Sequence, residues 1–270
     1  MFVATLSYLS HEIGKTESSN VISLSILVTK YNMIHQQRTS SIAIGMVLFP
    51  NLTQLDFTAP YEVFSRLPNA LVYLLAPNLD PIYSESGLTL LPNTSFERSP
   101  ALDVLFVPGG LGVNSKLEDT EFLQFLKTQG DRALYVTSVC TGSLLLAAAG
   151  LLQGYRATTH WFSMELLAMF GVEAVAQRIV IDRNRITAGG ITAGIDFGLV
   201  LAAELFGDTV AQEIQLWMEY NPAPPFKSGS PQTATPLVME SVQAQGQRLF
   251  ETRRQIIQRR VNYSKSLPCR

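Results

Sequence analysis

The feature that most constrains this chain is a regular alternation, from Ser41 onward, of short apolar runs with longer amphipathic segments. The apolar runs are typical of strands that a parallel sheet buries on both faces, and they include IAIGMVLFP, ALVYLLAP, DVLFVPGG and ALYVTSV. The segments between them have helical spacing, as in DFTAPYEVFSRL and DTEFLQFLKTQG. The alternation predicts a doubly wound α/β fold, with a mostly parallel sheet and helices on both faces.

Composition divides the chain into three parts. Residues 1–40 are rich in Ser, Thr, Asn and Gln and lack the pattern of a signal peptide, which predicts a poorly ordered N-terminal extension. Residues 41–236 carry the alternation and form the predicted main domain. In residues 237–270, apolar side chains recur at near-helical spacing, which predicts an amphipathic basic helix or tail.

The charges are unevenly spread between the main domain and the tail. The net charge is −2, yet residues 237–270 contain seven Lys or Arg against Glu240 and Glu251, so the tail carries +5 and the rest −7. A basic tail is one sign of nucleic-acid binding. The apolar spacing favours a packed helix with a solvated charged face instead, and we expect no nucleic-acid partner.

The apolar content and the cysteines limit the class of protein further. Hydrophobic residues make up 47% of the 270 residues, but no apolar run approaches the roughly 18 residues that cross a bilayer, so we expect no membrane partner. Cys140 and Cys269 lie far apart and give neither a disulfide framework nor metal-ligand spacing. This cysteine usage predicts a reducing, cytoplasmic location and no bound metal.

Three features converge where an open parallel sheet binds its ligands, beyond the carboxyl ends of the strands. Asp56 follows the first predicted strand, Gly109 and Gly110 end the run VLFVP, and Cys140 follows LYVTSV. A carboxylate, two exposed backbone N–H groups and a thiol are therefore predicted at one edge of the sheet. The alternatives are that Cys140 is a buried core thiol and that Asp56 only caps a helix.

The sequence around Cys140 favours a nucleophile. Ser138 and Gly142 stand two residues before and after it, the small-residue spacing of a nucleophile elbow, in which a strained strand-to-helix turn projects the side chain. The helix that starts at Thr141 would direct its positive dipole end at the sulfur, so we expect a lowered thiol pKa.

The same residues carry a resemblance to known families. The phrases LFPNLTQLDFTAPYEVFSRLP, DVLFVPGGLGVN, YVTSVCTGSLLLAAAGLLQGYRATTHW and QLWMEYNPAPPF resemble the class I glutamine amidotransferase-like superfamily, in its intracellular protease-like branch, and more narrowly the isonitrile hydratases. The likeness covers roughly residues 42–236. It implies a flavodoxin-like catalytic domain over residues 41–236, with Cys140 as the nucleophile, Asp56 as its acidic partner, Thr141 beside them, and Gly109 and Gly110 as backbone donors.

The resemblance also implies an activity. An isonitrile would be hydrated to an N-substituted formamide through a thioimidate on the cysteine, with the aspartate as acid and base and with no cofactor. Many relatives in the superfamily pair with a second copy, and the wide apolar helix faces here point to a homodimer as well.

Two expectations stay open. His160, in TTHW, could reach the site and bind substrate, but a histidine beside a tryptophan is more often a packed, hydrogen-bonded residue. The alternative functions are a ligand-sensing or redox-sensing protein, or a regulator-type domain without its DNA-binding part. A sensor does not need Asp56, whereas a regulator needs far more chain for two helix-turn-helix units than the 34 residues after Pro236.

Overall fold

The structure is a computed structural model that describes residues 41–266. The predicted extension over residues 1–40 lies outside the described residues, and so does Cys269.

The four predicted apolar runs form strands, and the structure has further strands between and after them. The strands are, in chain order, β1 (Ile42–Val47), β2 (Ala70–Ala76), β3 (Ile82–Tyr83), β4 (Thr89–Leu90), β5 (Thr94–Ser95), β6 (Val104–Val107), β7 (Tyr135–Val139), β8 (Arg156–Ala157), β9 (Glu173–Ala174), β10 (Ile179–Asp182) and β11 (Arg185–Ala188). The β3–β4 and β10–β11 pairs are antiparallel.

The central sheet of the described residues has the order β10-β11-β7-β6-β1-β2-β5. All neighbours in it are parallel except β10 and β11. If β1, β2, β6, β7 and β11 are numbered one to five in chain order, they lie side by side in the order 2-1-3-4-5. This is the strand order of flavodoxin-like folds. The predicted fold is therefore confirmed, and the strand order changes direction between β1 and β6, where such folds bind ligands.

Helices pack in two groups, one on each face of the sheet. The helices are α1 (Gln54–Phe64), α2 (Val113–Glu118), α3 (Thr120–Gly130), α4 (Gly142–Ala148), α5 (Met164–Ala168), α6 (Ala193–Phe206), α7 (Asp208–Trp217) and α8 (Pro236–Ser266). Helix α6 contacts α1 and α7, whereas α4 contacts α2, α3 and α5. Within the described residues, no helix is both long and apolar enough to cross a membrane.

The core lies on both faces of the sheet because its central strands are apolar throughout. Every residue of β6 is fully buried. On one face, the Phe106 ring stacks on Phe197 of α6 at 5.6 Å and meets Phe64 of α1 edge-on at 6.2 Å. These aromatic contacts fix α1 and α6 against the sheet, and α1 carries Asp56.

Helix α8 joins the molecule through its second half. Ile256 and Ile257 are 7% and 0% exposed, and the helix contacts α2 and α5. Its first turns are different, because Leu237 is 77% exposed and Val242 is 45% exposed. The second half of α8 therefore packs against the rest of the protein, whereas apolar side chains in its first turns stay exposed.

Candidate active site

Cys140 lies on a sharp turn between β7 and α4. Its φ is 57°, in the left-handed region, where a residue with a side chain is strained by about 1–3 kcal/mol. A Cβ at Gly142 would lie 2.1 Å from the carbonyl oxygen of Val107, so this position requires glycine. The predicted elbow geometry is confirmed, and the thiol is projected at the carboxyl edge of the sheet.

Hydrogen bonds on the backbone of Cys140 hold this conformation. Its N–H donates to the carbonyl oxygens of Ala188 at 3.0 Å and Gly189 at 2.8 Å. Its own carbonyl oxygen accepts from Thr159 Oγ1 at 3.0 Å and from Ser143 Oγ at 3.2 Å. The end of β11, the loop after it and two hydroxyl groups therefore fix the main chain of the cysteine.

Asp56 is the acidic partner of this thiol. Its side chain is fully buried, and Oδ2 accepts a hydrogen bond from the N–H of Gly109 at 3.1 Å. The Cys140 thiol lies close enough to the carboxyl group to favour its charged form, whereas Oδ1 has no hydrogen-bond partner within the described residues. The N-cap of α1 is Thr53, so the alternative that Asp56 only caps this helix is wrong.

Burial raises the pKa of both the Asp56 carboxyl and the Cys140 thiol. It raises the pKa of Asp56 to about 7, against opposing contributions from Cys140 and the Gly109 N–H. Burial, together with the Asp56 charge, raises the pKa of the Cys140 thiol well above its usual range. The expected lowering of the thiol pKa is therefore wrong, because the short helix α4 and the nearby Arg253 do not offset desolvation. Near neutral pH the pair consists of a thiol and a half-protonated carboxyl.

Gly109 and Gly110 lie where predicted, but their N–H groups have partners within the protein. Gly109 donates to Asp56, and Gly110 donates to Thr141 Oγ1 at 3.1 Å. A Cβ on Gly109 would lie 2.6 Å from the Thr141 nitrogen and 2.9 Å from Asp56 Oδ2, so glycine is required for this approach. The two glycines orient the carboxyl and the hydroxyl, whereas we expected them to face the reacting centre directly.

His160 lies beside Gly190, where a Cβ would be 3.4 Å from the His160 ring. Its Nδ1 accepts a hydrogen bond from the N–H of Phe162 at 3.3 Å, and its ring packs beside Trp161. Burial, and then the charge of Arg253, lower the His160 pKa. Across residues 41–266, no hydrogen bond joins His160 to Cys140 or to Asp56. The structure brings together Cys140, Asp56, Thr141, Gly109 and Gly110, and places His160 outside this group.

Sequence reasoning missed two charged residues at this edge. Arg253 of α8 is 4% exposed, and its Nη2 donates to the Gly110 carbonyl oxygen at 3.0 Å. Glu85, between β3 and β4, accepts from Thr53 Oγ1 at 2.8 Å and from the N–H of Leu111 at 3.2 Å. Arg253 stands three and four residues before Ile256 and Ile257, so its place on the apolar face of the tail was the available signal.

Among the described residues, no group of three His, Cys, Asp or Glu side chains is arranged to hold a metal ion. The carboxyl and the adjacent thiol can exchange a proton, and the unpartnered Oδ1 can contact a substrate or a water molecule. The arrangement suits addition of a thiol to an electrophilic carbon with delivery of a proton.

A flavodoxin-like sheet with a cysteine on a strained turn beside a buried acid defines a class of cysteine-centred α/β proteins. The model of the DJ-1/PfpI family matches residues 43–204, and the chain belongs to this family.

Comparisons with relatives agree with the fold. The chain is 51% identical to the isonitrile hydratase of Pseudomonas putida over 81% of its own length and 96% of that protein. It is similar to the solved structure of a THiJ/PfpI family protein from Pseudomonas syringae, with 42% identity, a TM-score of 0.79, and coverage of 81% of this chain and 91% of that one. It is also 30% identical to the HTH-type transcriptional regulator GbdR of Pseudomonas aeruginosa over 66% of this chain, but it spans only 50% of that regulator.

Proposed function

We propose that this chain is an isonitrile hydratase, a lyase of the hydro-lyase type. The observation that carries the proposal is the buried Cys140 thiol beside Asp56, a buried carboxyl group whose pKa is raised to about 7. Such a pair supplies both a sulfur nucleophile and a proton, which are the two things that the terminal carbon of an isonitrile needs. The 51% identity to the Pseudomonas putida isonitrile hydratase supports the same substrate class.

The first step is addition of the thiol across the terminal carbon of R–NC. The thiol proton passes to the adjacent Asp56 carboxylate, and a sulfur electron pair forms the S–C bond. The Asp56 carboxyl then gives the proton to the same carbon. The product is a thioimidate, R–N=CH–S, on Cys140, and Asp56 is again a carboxylate able to act as a base.

The second step is hydrolysis of this thioimidate. Asp56 takes a proton from water, the hydroxide oxygen bonds to the carbon, and the proton passes to nitrogen as the C=N electron pair moves there. The hydroxyl then loses its proton, the C–S bond breaks, and sulfur takes up a proton. The formamide R–NH–CHO leaves. Thr141, held by the Gly110 N–H, is placed to hydrogen bond the water or the intermediate.

The test is incubation with a simple alkyl isonitrile and detection of the formyl proton by NMR. We expect formamide from the full chain and from Cys269→Ala, and none from Cys140→Ala, which should keep its fold by circular dichroism. Equal loss in the two cysteine variants, or full activity in Cys140→Ala, contradicts the proposal.

A sensing role is the second candidate, and the similarity to GbdR favours it. The site argues for the enzyme, because a redox sensor needs an exposed thiol of low pKa. Cys140 is only 6% exposed and its pKa is raised. Rapid oxidation of Cys140 by dilute peroxide, without any formamide from isonitriles, would favour the sensor.

We also propose that the protein works as a homodimer without metal or cofactor, in the cytoplasm. Large apolar side chains are strongly exposed, and a second copy with two-fold symmetry would cover them; they are Leu216, Phe226 and Leu237, at 82%, 80% and 77% exposed. Light scattering of EDTA-treated protein, assayed in the same buffer, tests both statements. A monomer, or activity restored only by a divalent metal, contradicts them.

A further inference from the structure

Arg253 connects the tail helix to the loop that orients the active-site pair. It lies on α8, 143 residues from Gly110 along the chain, yet its Nη2 donates to the Gly110 carbonyl oxygen at 3.0 Å. Its Nε donates to Asn114 Oδ1 of α2 at 2.6 Å. Both bonds are made by a guanidinium that is 4% exposed, so the charge lies inside the protein beside the loop.

The glycine that Arg253 holds belongs to the hydrogen-bond system of the site. The N–H of Gly110 donates to Thr141, and the N–H of the preceding Gly109 donates to Asp56. A guanidinium on the Gly110 carbonyl therefore fixes the peptide unit that directly follows the two N–H groups bonded to these side chains. Hydrogen bonds from a charged donor are stronger than neutral ones, so this contact is well suited to hold a loop in place.

The charge itself acts on the cysteine. The groups whose charges act on Arg253 are Cys140 and Glu85, and its charge also lowers the His160 pKa. The groups that act on the Cys140 thiol are Asp56, the N–H of Thr141 and Arg253, and of these Asp56 disfavours the thiolate. Among these side chains, Arg253 supplies the positive charge that favours the anion.

We propose that Arg253 is a positioning residue for the reaction: it fixes the Gly109–Gly110 loop through the Gly110 carbonyl and stabilises negative charge on Cys140 when the sulfur attacks. The role of Arg253 in turnover rests on the proposed function. The effect of Arg253 on the reactivity of Cys140 can be measured without an isonitrile. The tail helix is then part of the active-site structure, although the reacting atoms lie on other elements.

The test measures alkylation of Cys140 by iodoacetamide between pH 6 and 10, in a Cys269→Ala background so that one thiol reacts. Arg253→Gln removes the charge, whereas Arg253→Lys keeps it. The matched control is Arg259→Gln, since Arg259 lies on the same helix, pairs with Glu118 of α2 at 3.0 Å, and is 65% exposed. Circular dichroism and thermal melting follow the fold of each variant.

We expect Arg253→Gln to alkylate about tenfold more slowly than the parent at pH values below the thiol pKa, as for loss of a nearby opposite charge. Arg253→Lys should recover most of this rate, and Arg259→Gln should match the parent. If Arg253→Gln matches Arg259→Gln across the pH range, the proposal is overturned. If Arg253→Gln does not fold, Arg253→Lys decides: a several-fold loss of kcat with a near-parental alkylation profile supports it, and unchanged kcat overturns it. The alkylation rates do not depend on formamide production, so failure of the hydratase proposal leaves the comparison of Arg253→Gln with Arg259→Gln standing.

Discussion

Two Gly-Gly dipeptides lie near Cys140, Gly109–Gly110 and Gly189–Gly190, and they are packed very differently. On one side, a Cβ on Gly109 would lie 2.6 Å from the Thr141 backbone nitrogen. On the other, a Cβ on Gly189 would lie 3.6 Å from its nearest neighbour, which is an ordinary contact. One glycine pair is required by a close approach, whereas the other has room for a side chain.

The two regions around Cys140 also differ in the side chains that they contain. The crowded side contains the buried Asp56 and Thr141, whose side chains accept hydrogen bonds from the N–H groups of Gly109 and Gly110. The open side contains His160 and the carbonyl of Gly189, which accepts from the Cys140 N–H at 2.8 Å. We infer that the crowded side performs the proton transfers and the open side holds the backbone of the elbow.

The largest expected difference is in turnover. Asp56→Asn removes the group that carries the proton, so kcat for isonitrile hydration should fall by about 10²–10⁴-fold. His160→Asn removes a ring whose observed hydrogen bond is to the Phe162 N–H, so kcat should fall by less than about tenfold. Steady-state kinetics on the two variants measure both, and a larger loss in His160→Asn would reverse the assignment of the two sides.

The next difference is in the sign of the pH dependence of stability. Asp56 has an ordinary pKa near 4 when unfolded and about 7 when folded, so the free energy of unfolding should fall by about 3 kcal/mol as pH rises from 4 to 7. His160 has a lowered pKa, so its contribution should increase as pH rises toward 6.5. Urea unfolding at several pH values, with Asp56→Asn and His160→Asn, separates the two. The account is weakened if Asp56→Asn leaves the pH slope unchanged.

The glycine pairs themselves should respond unequally. Gly109→Ala forces a Cβ against backbone and Asp56, so it should lower the free energy of unfolding by about 3 kcal/mol and displace the carboxyl. Gly189→Ala should change stability by no more than about 0.5 kcal/mol. Denaturant midpoints test this pair of variants, and equal effects would show that the contrast in space has no energetic consequence.

The smallest difference concerns two threonines. Thr141→Val leaves the Gly110 N–H without its acceptor, which should lower stability by about 1–2 kcal/mol. Thr159→Val removes one hydrogen bond to the Cys140 carbonyl oxygen, which still accepts from Ser143 Oγ at 3.2 Å. The free energy of unfolding should therefore fall by only about 0.5–1 kcal/mol. Thermal unfolding of both variants is sufficient, and a larger loss in Thr159→Val would contradict the ranking.

Local patterns were enough to predict the sheet and the elbow. Buried apolar runs and the small residues Ser138 and Gly142 are local signals, and they placed Cys140 and Asp56 at one edge of the sheet. The pKa of Cys140 could not be predicted this way, because desolvation depends on everything packed around the thiol. The partner of Arg253 lies 143 residues away, so its charge was assigned to a solvated face.

The central claim is that Cys140 forms a covalent intermediate whose proton comes from its pairing with Asp56. Mixing the protein with an alkyl isonitrile, stopping the reaction with acid within milliseconds, and determining the mass of the peptide containing Cys140 tests it most directly. The account predicts a transient mass increase equal to one isonitrile molecule on that peptide, absent from Asp56→Asn and from the peptide containing Cys269. Formamide that accumulates with no such adduct on Cys140 would contradict it.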